Sequence, residues 1–190
     1  DIGANIGWFS WVFAQHGRRV FSIEAMAQNQ LAFTTTLCLN VQWSRLVTLA
    51  RTAVGSHQTS GPCVVRSDSN RGRHNNAGNG IVRCGADEKC DESSSEHCEV
   101  VALSTIDELL LSWGMPHISV VKMDVEGFEC AVLEGTQKLF THIKPQFIWA
   151  ELNPKFPDVE RCWRQQANQH GYHIGPPRGK DRNTLFTRMH

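Results

Sequence analysis

Two hydrophobic periods alternate along the chain and predict helices interleaved with strands. Residues 8–16 carry apolar side chains at helical spacing, and residues 19–24 form a short apolar run that ends in an acid. Residues 27–40 follow as a second predicted helix and residues 46–54 as a second predicted strand. Helices that alternate with short apolar strands are typical of a parallel sheet covered by helices on both faces.

The same alternation returns in the second half of the chain. Strand 117–124 is the clearest of these elements, because it is apolar in its middle, as buried parallel strands are. Ser104 or Thr105 is the expected N-cap of the first helix there. The other predicted elements are helices at 104–113, 128–140 and 158–170, and strands at 146–152, 172–174 and 184–187.

Residues 55–99 interrupt this alternation. They are rich in Ser, Asn, Gly, Arg and His and poor in large apolar residues, with candidate short strands at 63–66 and 80–83. We interpret the segment as a long polar insertion or flexible excursion. The length of 190 residues suits one domain, so we expect a single domain over 1–190 that contains this insertion.

Charge and hydropathy exclude some partners. Nineteen Lys and Arg residues balance nineteen Asp and Glu residues, so no nucleic-acid surface is expected. No run approaches the ~18 apolar residues that a membrane span needs. The chain opens at Asp1 inside a motif, and we interpret it as an excerpt from a longer protein. Its compartment is therefore not predicted, with the cytoplasm as the default expectation.

The seven cysteines do not suggest a disulfide framework. Three of them lie in predicted helices, where small buried thiols are common: Cys38, Cys130 and Cys162. A further cluster consists of Cys84, Cys90, His97 and Cys98. Structural zinc sites usually place two to four residues between paired cysteines, whereas five separate Cys84 from Cys90. No metal site is predicted.

The turn at residues 1–7 is the first candidate for ligand binding. Gly3 and Gly7 lie four positions apart, where a strand should end and a helix begin. Glycine lets the backbone turn sharply and approach a ligand closely, and the following helix N-terminus suits a polar cofactor. A plain strand-to-helix turn would carry the same two glycines.

Glu24 strengthens the interpretation of that turn as a cofactor site. It ends the next predicted strand, and in dinucleotide folds an acid about 20 residues past the glycine turn accepts ribose hydroxyls. The nicotinamide fingerprint G-x-G-x-x-G would require glycine where this chain has Asn5 and Trp8. The pattern therefore disfavours a nicotinamide cofactor.

Acidic residues follow the strand 117–124. Asp124, Glu126 and Glu129 come where ligands bind in open parallel sheets, outside the carboxyl ends of the strands. Lys122 lies two residues before Asp124 and should share its face of the strand. Acids at a helix start are also favoured by the helix dipole alone, so a purely structural role is the alternative.

A polar pair, Glu151 and Asn153, ends the next predicted strand and should reach the same crevice. A hydroxyl substrate gains from a base within hydrogen-bond reach. The candidate bases are Asp124, Glu151 and Glu126 in that order, with Lys122 as the candidate for orienting the substrate. An ordinary polar strand end is the alternative for this pair.

Two motifs carry a family resemblance. Residues 1–7 (DIGANIG) resemble the opening motif of the FkbM family of S-adenosylmethionine-dependent methyltransferases, and residues 121–127 (VKMDVEG) resemble its second hallmark. Residues 53–55, 103–109 and 145–151 are similar to further family segments in the same order. The resemblance implies an α/β, Rossmann-like class I methyltransferase. Its sheet would be mainly parallel and seven-stranded, with helices on both faces, a reversed last strand and a first strand truncated at Asp1.

The resemblance also implies a cofactor and a reaction. S-adenosylmethionine would donate a methyl group to a hydroxyl on a sugar or small natural product, so the partner would be a small-molecule or glycan acceptor. By motif, Asp1, Gly3, Asn5 and Gly7 would line its methionine part, Glu24 its ribose, and Ala53 and Val54 its adenine. Two alternatives stay open: a non-catalytic S-adenosylmethionine-binding module and, less favoured, an NAD-dependent oxidoreductase.

Overall fold

The computed structural model describes residues 1–67, 79–91, 97–180 and 182–189. The chain divides into two compact units, one of residues 1–53 and 60–103 and one of residues 54–59 and 104–190. The helices are α1 (Trp8–Gln15), α2 (Ala27–Leu39), α3 (Ile106–Ser112), α4 (Glu129–Glu134) and α5 (Pro157–His170). The strands are β1 (Val20–Glu24), β2 (Val47–Arg51), β3 (Ala53–Val54), β4 (Cys63–Ser67), β5 (Gly80–Cys84), β6 (Cys98–Val101), β7 (Leu103–Ser104), β8 (Val120–Met123), β9 (Phe147–Glu151), β10 (Tyr172–Ile174) and β11 (Asn183–Arg188).

The first unit contains a parallel pair of strands, β1 and β2, with Val20 opposite Val47. Helices α1 and α2 complete its core, in which the Trp11 ring lies 4.3 Å from that of Phe33 and 5.5 Å from that of Trp43. Burial of these large apolar rings is the main favourable term in holding the two helices together.

The inserted segment forms a three-stranded antiparallel sheet in the order β5-β4-β6. The candidate strands at 63–66 and 80–83 are confirmed, and Cys63 lies opposite Cys84 in the register. The excursion predicted for 55–99 falls in part on residues 68–78 and 92–96, which lie outside the described residues. The described part of this segment therefore contributes strands to a regular, paired sheet.

The second unit contains a four-stranded sheet in the order β10-β11-β9-β8. Strands β8 and β9 are parallel, with Val120 opposite Phe147 and Met123 opposite Ala150. Strand β11 runs antiparallel to β9, which gives this sheet a reversed strand near its edge. The carboxyl ends of β8 and β9 consequently lie side by side.

Helix boundaries in this unit follow local chemistry. Thr105 is the N-cap of α3, and its side chain and that of Glu108 form a reciprocal capping box. The predicted helix 128–140 is instead two pieces, α4 and a π-helical turn at Leu139–Ile143. The break falls at Gly135, where a side chain would collide with the carbonyl oxygen of Gly55.

The expectation of free buried thiols is wrong. Disulfides join Cys63 to Cys84, Cys90 to Cys98, and Cys130 to Cys162, whereas Cys38 is free and exposed. Spacing along the sequence could not reveal these pairs, because strand register and helix packing bring the partners together.

Within the described residues, no helix combines the length and apolar character that crossing a membrane requires.

Candidate functional site

The turn before α1 is held against the end of β1. Gly3, Asn5 and Gly7 all have positive φ, at 74°, 53° and 91°. The backbone N–H groups of Gly3 and Ala4 donate to the carbonyl oxygen of Ile23 at 3.0 and 2.9 Å. The glycines supply a left-handed backbone that other residues adopt only with strain, and Asn is among the residues that tolerate it best.

Gly7 has a packing role in addition to its conformation. A Cβ on Gly7 would lie 2.6 Å from the Trp11 ring, and the Trp11 indole N–H donates to the Ile6 carbonyl at 2.9 Å. The indole thus closes over the first turn of α1. This contact explains the glycine at position 7 without a ligand, so its predicted role toward a cofactor stays a prediction.

Glu24 joins the turn to the start of α2. Its Oε2 accepts the N–H of Asn5 at 2.8 Å, while Oε1 accepts the N–H of Met26 at 2.9 Å and the Asn29 side-chain amide at 3.2 Å. Glu24 as a whole is only 7% exposed. Glu24 therefore sets the shape of the turn that the sequence assigned to the cofactor.

Sequence reasoning missed two residues beside Glu24. Asn29 is buried in the first turns of α2, and its position just after a strand-end acid is the signal that could have indicated it. Glu99, on β6 of the insertion, accepts the N–H of Ala27 at 2.6 Å. The insertion thus supplies an acid to the N-terminus of α2, where the helix dipole favours negative charge.

The remaining predicted cofactor residues lie in two places. Asp1 accepts a hydrogen bond from the Ser10 hydroxyl at 2.6 Å, which anchors it to α1 beside the turn. Ala53 and Val54 are both buried on β3. The N–H of Ala53 donates to the carbonyl oxygen of Ala102 at 2.9 Å.

Residues 124–127 of the second hallmark motif form a tight turn after β8, the acidic turn. Glu126 has φ 52° and Gly127 has φ 95°, so two successive residues adopt left-handed backbone. A Cβ on Gly127 would lie 2.7 Å from the Phe156 ring, which covers the turn from the segment before α5. Gly127 therefore allows Phe156 to pack directly on the backbone that carries the acids.

Four predicted catalytic residues meet at this turn. Lys122 is 9% exposed, and its Nζ lies 3.5 Å from Asp124 Oδ2, as expected for two residues on one strand face. Carboxylate oxygens of Asp124, Glu126 and Glu151 all lie within 4.8 Å of one another. The parallel pairing of β8 with β9 produces this convergence.

Each carboxylate has a different environment. Glu151 is 8% exposed and accepts the Asn153 side-chain amide at 3.2 Å, so the predicted polar pair is in contact. Asp124 Oδ1 is buried and has no hydrogen-bond donor among the described residues. Oxygen ligands of this kind suit hard divalent cations, but Lys122 already places a positive charge among them.

The comparison with protein families decides the identity. The model of the methyltransferase FkbM domain matches residues 1–174. The chain belongs to the FkbM methyltransferase family. The resemblance predicted from the two motifs is thereby confirmed.

A solved structure gives the FkbM fold. The crystal structure of the methyltransferase FkbM from Methylobacillus flagellatus KT is similar with a TM-score of 0.62 at 17% identity. The likeness covers 98% of this chain and 42% of that chain, so the FkbM domain spans well under half of its neighbour's length. No curated protein is similar enough to count as a match.

Glu129 lies beneath the acidic turn of the FkbM domain. It is 2% exposed, its Oε1 accepts the N–H of Val125 at 3.2 Å, and its Oε2 is buried with no donor among the described residues. Burial raises the pKa of Glu129 from 4.5 to about 7, and the negative charges of Asp124 and Glu126 add to the rise. The group is thus poised to change charge near neutral pH.

This pKa predicts how stability depends on pH. A raised folded-state pKa means that the folded protein holds the proton more tightly than the unfolded chain does. The contribution of Glu129 to the free energy of unfolding is therefore fully present below pH 4.5, and it is lost as pH rises to about 7. Glu129→Gln resembles the protonated form. Its free energy of unfolding at pH 8 should therefore exceed that of the wild type by up to ~3 kcal/mol.

Urea titrations at pH 4.5 and pH 8 measure the effect. The difference between Glu129→Gln and the wild type should nearly vanish at the lower pH. Glu134→Gln, at the exposed end of α4, is the matched control and should show no such pH dependence. An equal difference at both pH values would contradict the assigned titration.

Proposed function

We propose that this FkbM domain transfers the methyl group of S-adenosylmethionine to a hydroxyl oxygen on a sugar or small natural product. The observation that carries the proposal is the convergence of the Lys122 ammonium with the carboxylates of Asp124, Glu126 and Glu151. It lies at the carboxyl ends of β8 and β9, the edge at which ligands bind in open α/β sheets.

We also propose the full architecture of the domain, a mainly parallel, seven-stranded class I methyltransferase sheet with helices on both faces. The parallel pairs β1–β2 and β8–β9 support it, each within its own unit. The antiparallel β9–β11 pair supports the reversed last strand.

The turn at residues 1–7 is the proposed S-adenosylmethionine site. The residues present fit that group, because a left-handed turn at a helix start is flanked by the carboxylates of Asp1 and Glu24. Carboxylates accept hydrogen bonds from ammonium and ribose hydroxyl groups. We propose Ala53 and Val54 as the residues beside the adenine.

When bound, S-adenosylmethionine supplies an electrophilic sulfonium methyl group. Asp124 is the proposed general base, since its side chain is 39% exposed at the carboxyl end of β8 and its Oδ2 lies 3.5 Å from Lys122 Nζ. Lys122 can donate a hydrogen bond to the substrate oxygen and orient it. Glu151 and Glu126 are the further candidate bases, and orientation by such groups supplies much of the rate.

The residues around the base suit a substrate with several hydroxyls. Glu151 and Asn153 form a carboxylate–amide pair that can accept from and donate to neighbouring hydroxyl groups. Glu126 adds a second carboxylate within 4.8 Å. A sugar or polyhydroxylated natural product therefore fits the proposal better than an apolar substrate.

Calorimetric titration with S-adenosylmethionine tests the cofactor. We expect saturable binding that weakens at least about tenfold in Glu24→Ala, because charge-assisted hydrogen bonds contribute about 1.5–3 kcal/mol each. Glu99→Gln removes a carboxylate charge near the start of the same helix and should keep nearly the wild-type affinity. NADH is the comparison ligand, and binding of NADH alone by folded protein would overturn the methyltransferase proposal.

The catalytic assignment needs a transfer assay. With radiolabelled methyl donor and a panel of methyl glycosides, Asp124→Asn should lower kcat about 10²–10⁴-fold while leaving cofactor affinity unchanged. Asp158→Asn, a change of the same type at an exposed position of α5, is the control. Full activity of Asp124→Asn would refute the base assignment, and cofactor binding without transfer to any glycoside would favour the non-catalytic module.

A further inference from the structure

The Cys130–Cys162 disulfide lies directly beside the acidic turn. It joins the second residue of α4 to the middle of α5, with the two Cα atoms 5.6 Å apart. Cys130 follows Glu129, whose carboxylate accepts the N–H of Val125. The bond therefore begins one residue from the group that holds the turn.

A second contact joins the same two segments. Phe156, the N-cap of α5, packs on Gly127 of the turn. Cys130 Sγ also lies 3.4 Å from the carbonyl oxygen of Asp158, in the first turn of α5. The turn is thus held to the start of α5 by ring packing, and the helix that follows the turn is held to α5 by a covalent bond.

We propose that the Cys130–Cys162 disulfide positions the acidic turn at residues 124–127, so that this domain acts with the bond closed and in an oxidising compartment. The inference rests on the methyl transfer proposed above for the role of the turn. Opening the bond would leave packing alone to hold α4 against α5, and the separation of the carboxylates would be less firmly fixed. Catalysis is sensitive to displacements of about 1 Å.

The other cysteines give independent support for the compartment. Six of the seven are paired, two disulfides lie in the first unit and one in the second, and only the exposed Cys38 is free. Disulfides are rare in reducing compartments, where thiols are kept reduced. The hydroxyl substrate must then be available in the same oxidising compartment.

Each bond forms by thiol–disulfide exchange with a disulfide oxidant. A thiolate attacks the oxidant to give a mixed disulfide, and the partner thiolate then displaces the oxidant's second sulfur. The two cysteines lose two protons and two electrons in total, and the oxidant leaves as a dithiol.

Thiol counting tests the covalent part of the proposal without any ligand. The full chain, purified without reductant and denatured with excess alkylating agent, should react at one thiol, Cys38. Peptide mapping should recover Cys130 linked to Cys162. Seven reactive thiols from protein made in an oxidising compartment would overturn the proposal.

Hydrogen exchange tests the positioning role. In Cys130→Ser/Cys162→Ser, amides 124–129 should exchange at least about tenfold faster, and kcat should fall while the Kd for S-adenosylmethionine stays unchanged. Cys90→Ser/Cys98→Ser, which opens a disulfide of the first unit, should not alter these amides, and Cys38→Ser should resemble the wild type. Unchanged protection of the Val125 amide would refute the positioning role.

Two outcomes separate this inference from the proposed function. In the first, a single free thiol is found but S-adenosylmethionine does not bind; this result would reject the proposed function and leave the disulfide assignment standing.

If the double variant does not fold, wild-type protein is titrated with dithiothreitol while free thiols and amide exchange at Val125 are followed together. Opening of Cys130–Cys162 without faster exchange there would contradict the positioning role.

Discussion

The parallel pairing of β8 with β9 is the constraint on which the candidate active site depends. Parallel strands end at the same edge of a sheet, so Asp124 after β8 and Glu151 at the end of β9 meet although they are 27 positions apart. A shift of one residue in the register would turn one of these side chains to the opposite face. The buried residues Met123 and Ala150, which pair across the strands, keep that register in place.

Carboxylates gathered at one edge repel one another, and the surrounding structure offsets this repulsion in two ways. Lys122 brings a positive charge to Asp124, and Glu129 lies buried below the turn with a pKa raised to about 7, so it can carry a proton near neutral pH. A neutral Glu129 removes one negative charge from beneath Asp124 and Glu126. Protonation of Glu129 therefore lowers the negative charge at the site, and the sequence pattern does not reveal this effect.

The sequence predicted the helices and strands well because hydrophobic period is a local property. It also indicated Lys122 with Asp124 and Glu151 with Asn153, since strand-end positions two residues apart share a face. It failed where distant segments meet. Position 135 requires glycine because a side chain there would collide with the carbonyl oxygen of Gly55, and the disulfide partners are joined by register and helix packing. The bonds from Glu24 to Asn5 and Met26 likewise depend on tertiary position.

The disulfides differ in what the surrounding structure requires of them. The three-stranded sheet of the insertion buries few large side chains beyond Val64 and Val65, and small apolar cores are commonly reinforced by disulfides. Helices α4 and α5 have no such deficit, because Val132, Val159 and Trp163 are almost completely buried. A covalent bond between two helices that already pack well mainly restricts their relative movement and buries little further apolar surface. Its place one residue from Glu129 directs that restraint to the acidic turn.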